Sequence, residues 1–170
     1  MADKVDDLLD FSRAGRSIPE GSFHLKTAVL EGKRALTRKF QETDGGIRII
    51  GELPEVEGDP SMVAQIFQNL FSNSLKYRSD EKPTITVQAT LEKGMWRVSV
   101  SDNGIGFDSK QFGERIFGVF QRLHTVEDYP GTGIGLAITK KIIERHGGNV
   151  WTESTPNRGA TFHFTLPPKP

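Results

Sequence analysis

No charged residue stands between Ser61 and Leu75. Within that stretch Met62, Ile66 and Leu70 form one i, i+4 row, and Val63, Phe67 and Phe71 form the row beside it. Two adjacent rows make an apolar stripe wide enough to bury a helix against a core. Asp59 can cap such a helix and Pro60 is pre-set for its first turn, so the spacing predicts a helix over 59–78. A third row runs beside the apolar face: Gln65, Asn69, Asn73 and Lys76. A solvated face ordinarily carries Lys and Glu. A row of amides ending in Lys76, Tyr77 and Arg78 suits the wall of a polar pocket, although a plain polar surface stripe has the same composition. Asparagine carbonyls are hard oxygen ligands of the kind Mg²⁺ takes, and a lysine is a point charge suited to phosphate.

Two glycine-rich segments follow. Asp102-Asn103-Gly104-Ile105-Gly106-Phe107 leaves a strand-like run, and Gly131-Thr132-Gly133-Ile134-Gly135-Leu136 opens a helix-like one. Glycine permits positive φ and close approach of backbone amides to a ligand. The free amides of a helix N-terminus attract anions. An acidic residue just before the first glycine turn can accept a hydrogen bond from an exocyclic amine. Either segment alone is equally an ordinary turn. Together with the amide row they suggest a purine nucleotide, its base at Asp102 and its phosphates at the second segment.

The remaining patterns frame these parts. Residues 3–14 read as a short amphipathic helix and residues 22–42 as one longer helix, with His24 at its start and Gly45-Gly46 at its close. Ile47 to Ile50 reads as a strand. Residues 84–91 and 96–100 alternate as two strands of a hairpin turning at Glu92-Lys93-Gly94, and the second strand delivers Asp102. Residues 107–130 lack a long regular pattern apart from an apolar island from Ile116 to Leu123; their place between two ligand-binding segments predicts a mobile lid. Thr132 to His146 reads as a helix with Ile134, Ile138, Ile142 and Ile143 inward, stopped by Gly147-Gly148. Strands are expected around 149–153 and 160–166.

Bulk properties exclude several classes. The 170 residues suffice for one domain with a core. A formal net charge of zero offers no whole-chain footprint for nucleic acid or an acidic membrane. The absence of cysteine excludes disulfides, thiolate zinc sites and cysteine nucleophiles, and fits a cytoplasmic location. No apolar run approaches the ~20 residues that span a bilayer. There is no P-loop, the second glycine segment lacks dinucleotide spacing, and the four histidines lack zinc-hydrolase spacing.

Residues from about 47 to 167 resemble the ATP-binding catalytic domain of sensor histidine kinases, in the gyrase–chaperone–kinase ATPase superfamily. Gln68 to Tyr77 resembles the family's asparagine box, Asp102 to Phe107 its first glycine box, Ile116 to Leu123 its phenylalanine box and Gly131 to Ile138 its second glycine box. The neighbourhoods Phe120 to His124 and His146 to Gly148 look closest to phytochrome-like and PAS-linked kinases. The resemblance implies an α/β two-layer sandwich of the Bergerat type, a mixed sheet packed on helices, preceded by a short N-terminal helix. It implies a remnant of a dimerisation and phosphoacceptor hairpin over 1–18, the catalytic domain over 19–167 and a tail over 168–170, from a parent that is a homodimer.

The resemblance also implies site roles. Asp102 would read the adenine amine, Asn73 would hold Mg²⁺, and Lys76 and Tyr77 would contact phosphate or ribose. Asn73 and Lys76 would be the catalytic pair. Asn69, Asn103, Gly104, Ile105 and Gly106 would line the nucleotide, and Gly131, Thr132, Gly133, Ile134, Gly135 and Leu136 would surround its phosphates. The implied partners are ATP or ADP, a histidine-bearing hairpin and a response regulator. No histidine here is followed by an acidic residue, as the acceptor is in that hairpin; the chain reads as cut within it. Ala160 follows Gly159 where many superfamily members carry threonine, so no adenine contact is expected of Thr161. Gyrase-type ATPases place a basic glutamate one turn before the Mg²⁺ asparagine. Asn69 stands there instead, which argues against water activation and against a serine kinase of the same superfamily. A nucleotide-sensing or docking module is the non-enzymatic alternative.

Overall fold

The computed structural model describes residues 21–118 and 133–170. A five-stranded mixed sheet carries helices on one face. Its strands, in chain order, are β2 (Gly46–Ile49), β4 (Thr84–Glu92), β5 (Met95–Asp102), β6 (Val150–Ser154) and β7 (Ala160–Leu166), arranged β2-β4-β5-β7-β6. Only the β2–β4 pair is parallel. A separate antiparallel pair joins β1 (Ser22–His24) to β3 (Glu55–Glu57). The helices are α1 (Leu25–Arg34), α2 (Thr37–Thr43), α3 (Pro60–Lys76), the short α4 (Ser109–Phe112) and α5 (Gly135–Arg145). The sandwich expected from the resemblance is the observed fold.

α3 is the hinge of the core. Asp59 accepts from the amides of Ser61 and Met62 and so caps its start, with Pro60 in the first turn. Val63, Ile66, Phe67, Leu70 and Phe71 are buried against the sheet and neighbouring helices. The Phe67 ring meets Phe71 at 5.7 Å and Phe164 of β7 at 5.8 Å. On the sheet side, Ile85, Val87, Val98, Val100, Phe162, Phe164 and Leu166 supply the alternate inward positions. Full burial of one such side chain contributes roughly 1.5–3 kcal/mol before entropy costs. α1 lies so tightly on α3 that a Cβ at Gly32 would sit 2.9 Å from the Phe67 Cβ.

Several boundaries differ from expectation. The predicted single helix over 22–42 is a strand followed by two helices. The chain breaks at Ala35 and Leu36, where the Thr37 hydroxyl donates to the Arg34 carbonyl at 2.7 Å. Leu36 and Phe40 are both buried across the break. The left-handed stop is Asp44 (φ 54°), not the glycine pair, and Gly46 already belongs to β2. β3 has no sequence signature of its own.

The first part of the segment predicted to be a lid is packed. α4 and a 3₁₀ turn at Arg115–Phe117 occupy it, with Ile116 and Phe117 buried and the Phe117 ring edge-on to Phe162 at 6.2 Å. The rest of the lid expectation, the short helix over 3–14, Gly131, Thr132, Phe120 and His124 lie outside the described residues. The hairpin turns at Lys93 (φ 51°) and Gly94 (φ 79°), two left-handed residues that match the twist of its strands.

Candidate functional site

The Asp102 carboxylate sits where β5 ends, beneath the last turns of α3. Its Oδ1 accepts from the amides of Gly104 at 3.0 Å and Ala160 at 3.1 Å. Its Oδ2 accepts from the Ser74 hydroxyl at 2.8 Å. Burial pushes the Asp102 carboxyl up from its ordinary value, while the Gly104 amide, the Ser74 hydroxyl and the Ala160 amide pull it back. A carboxylate held by three donors is a fixed acceptor, and Oδ2 keeps one acceptor position that these contacts leave open.

Glycines make this cradle possible by close packing. A Cβ at Gly159 (φ 74°) would lie 2.0 Å from the Asp102 carbonyl oxygen, and one at Gly104 would lie 2.5 Å from the Tyr77 carbonyl oxygen. The Ile105 amide donates to that same Tyr77 carbonyl at 2.9 Å. The first glycine segment is therefore a sealed junction between α3, β5 and β7. Gly104 and Ile105, expected to line a nucleotide, have their own amides taken by the protein.

Asn103 also turns away. Its Nδ2 donates to the Lys82 carbonyl and its Oδ1 accepts from the Thr84 amide, both at 2.9 Å, so its side chain pins the loop before β4. Gly106 (φ 65°) has no room for a Cβ against Thr155 and Gly159. The Thr161 hydroxyl pairs with Ser101 at 2.9 Å on the face of the sheet opposite to Asp102.

Within the amide row of α3, Asn69 meets the start of α5. Asn69 Nδ2 donates to the Gly135 carbonyl at 3.1 Å and to Thr139 Oγ1 at 3.3 Å. Asn69 thus clamps the two helices together. Asn73 follows one turn later, half-buried beside Ser74, and makes no side-chain hydrogen bond among the described residues. Lys76 lies with its Nζ 5.3 Å from the Tyr77 ring centroid. Opposite, α5 begins after Ile134 with no side-chain cap, and Gly133 (φ 75°) shapes the approach. The Ile134 side chain is wholly buried, so only its backbone can face a ligand, whereas Leu136 is half-buried and packs on the core. Sequence reasoning missed Ser74, although it continues the apolar row Met62, Ile66 and Leu70: a serine there signals a buried polar contact but not which residue, 28 positions away, supplies it.

The arrangement matches the donor set of an Mg²⁺ nucleotide: a buried acceptor for a base, a free asparagine carbonyl for a hard cation, and an uncapped helix start for phosphates. Among the described residues no cluster of three or more His, Cys, Asp or Glu side chains could hold a metal by itself.

Comparison with known proteins accords with this geometry. The family described as histidine kinase-, DNA gyrase B-, and HSP90-like ATPase matches residues 58–170. The phytochrome-like protein Cph1 of Synechocystis sp. is 40% identical over 167 residues, which are 98% of this chain and 22% of that protein. The chain thus spans about a fifth of the length of that relative. Full-length ShkA, solved in complex with AMPPNP, superposes with a TM-score of 0.80 at 25% identity, over 96% of this chain and 35% of that one. Histidine kinase ThkA, solved in complex with response regulator protein TrrA, gives 0.74 at 26% identity, over 96% of this chain and 46% of that one.

Proposed function

Because the chain belongs to the histidine kinase-, DNA gyrase B- and HSP90-like ATPase family, as an ATP-binding catalytic domain of the histidine-kinase type, we propose that it positions Mg²⁺-ATP for transfer of the γ-phosphoryl group to a histidine on a separate hairpin domain. The observation that carries this reading is the Asp102 carboxylate, buried and held by three donors with one acceptor position left for an exocyclic amine. Asn73 offers its carbonyl to the metal, and Lys76 and Tyr77 stand one turn further toward the phosphates and ribose. The amides leading into α5, from Gly131 to Leu136, receive the phosphates. When bound, Mg²⁺ neutralises phosphate charge, and the protein's share of the catalysis is positioning and electrostatics.

Asn69 favours phosphoryl transfer over hydrolysis. It occupies the place of a water-activating glutamate, an amide takes no proton at neutral pH, and its nitrogen is already bound to Gly135 and Thr139. The reading includes a cytoplasmic domain of a dimeric parent that passes the phosphoryl group on to a response regulator. No helix among the described residues is long and apolar enough to cross a membrane. Titration calorimetry of Mg²⁺-ATP into the parent protein and into Asn73→Ala and Asp102→Asn tests it. Asn73→Ala should lose the Mg²⁺ dependence of binding, and Asp102→Asn should lose most of the affinity, since the amide presents a donor where an acceptor is needed. Undiminished affinity in both would end the proposal.

A further inference from the structure

Ser74 is 5% exposed and lies on the side of α3 that meets the end of β5. A buried helical serine ordinarily satisfies its hydroxyl on the carbonyl four residues back. Here the hydroxyl reaches across to Asp102 Oδ2 at 2.8 Å instead. The contact is asymmetric in a useful way. Both backbone donors, Gly104 and Ala160, fall on Oδ1. Ser74 is the donor that the described residues supply to Oδ2, the oxygen with acceptor capacity to spare.

We propose that Ser74 is a positioning residue that sets base specificity, holding Asp102 Oδ2 as an acceptor so that the site takes a 6-amino purine and refuses a 6-oxo one. The inference rests on the reading of Asp102 as the base contact. Two amides on Oδ1 anchor one end of the carboxylate, and the hydroxyl on Oδ2 fixes its plane. Without that hydroxyl the buried carboxyl is left with less to offset its desolvation and accepts a proton more readily. The proton would sit on Oδ2, since Oδ1 faces two N–H donors. A protonated Oδ2 donates, and a donor suits the oxygen at C6 of hypoxanthine better than the amine of adenine.

The experiment is calorimetric affinity for Mg²⁺-ATP and Mg²⁺-ITP, reported as the ratio of the two. Ser74→Ala should lower the ATP:ITP preference about tenfold, as befits one hydrogen bond to a charged group. Ser74→Thr and Ser74→Val form a second pair that differs in the hydroxyl alone, and Thr should retain more of the preference than Val. That pair carries the test if Ser74→Ala loses its native circular dichroism, because steric strain from the added methyl is common to both. A merely structural serine would weaken both nucleotides equally and leave the ratio at the parent value; that result, with no difference between Thr and Val, overturns the inference. Asp102→Asn runs alongside. If it abolishes the preference while the Ser74 variants keep it, the Ser74 inference alone is wrong. If Asp102→Asn itself keeps the parent ratio, the base reading fails and the Ser74 inference falls with it.

Discussion

The Nε2 atom of His146 accepts from the Asp59 amide at 3.2 Å, so its ring must carry the proton on Nδ1, which faces the Ile142 carbonyl at 2.8 Å. One buried imidazole thus ties the end of α5 to the cap of α3, and Gly58 (φ 144°) lies where a Cβ would be 2.3 Å from the ring. Burial pushes the His146 pKa down, against smaller upward pulls from the Ile142 carbonyl and the Asp59 charge. The unfolded chain, with an ordinary value of 6.5, binds the proton first as pH falls. This contribution to stability is therefore complete above about pH 6.5 and lost below it, with a slope of at most about 1.4 kcal/mol per pH unit. Asp102, raised by burial, acts with the opposite sign at lower pH, since its folded form holds a proton the unfolded form has lost. Denaturant titrations at about pH 7.5 and about pH 5 should show a smaller loss in His146→Ala than in the parent; equal losses would remove His146 from the account. At this scale Asn73 and Lys76 were legible as candidates because they stand out on an otherwise uncharged apolar helix, and Asp102 because it is an acid set just before a glycine turn. Ser74 and His146 were not, because their roles lie in partners distant along the chain.

Helix α3 was legible almost whole, and so were the hairpin β4–β5 and the stop of α5 at Gly147 (φ 80°). Their signals are local: a cap, a periodicity and a turn. The break between α1 and α2 was not, because Leu25, Ala28, Val29, Leu36 and Phe40 keep one helical period across it and all are buried. β3 was missed because three residues carry no period; it forms by pairing with β1 and by the Glu57 amide donating to the Pro167 carbonyl. The clamp between α3 and α5 belongs to this scale. Replacing Asn69 with leucine deletes its bonds to Gly135 and Thr139 and leaves the half-buried Gly135 carbonyl with one donor fewer. We expect a cost of about 1–3 kcal/mol in chemical denaturation. Nucleotide affinity should fall with it if, as proposed, the amides leading into α5 receive the phosphates. A variant as stable as the parent would show that the helices dock without it.

For the molecule as a whole, the proposed reaction needs an acceptor histidine in line with the γ-phosphate at roughly 3–3.5 Å. Of the four histidines, His24 caps α1, His146 is locked between helices, His163 is held by Ser99 and Glu153 on the far face of the sheet, and His124 lies outside the described residues. The 170-residue chain mixed with radiolabelled ATP should therefore not label itself, whereas a histidine hairpin added in trans should take up acid-labile label, weakly for want of a tether's effective concentration. Acid-labile label on the chain alone would redirect attention to its own histidines. The amino-acid order by itself determined the apolar and amide faces of α3 and the carboxylate at the end of β5, because periodicity and residue chemistry act within a few residues of one another; the two-layer α/β class followed from the family resemblance that its four boxes carry. The tertiary structure alone decided that the first glycine segment seals a junction, that Asn103 turns away to hold a loop, and that Ser74 completes the Asp102 cradle. Each of those outcomes depends on which atoms from remote parts of the chain occupy the same few ångströms, and only close packing of the sheet against its helices brings those atoms together.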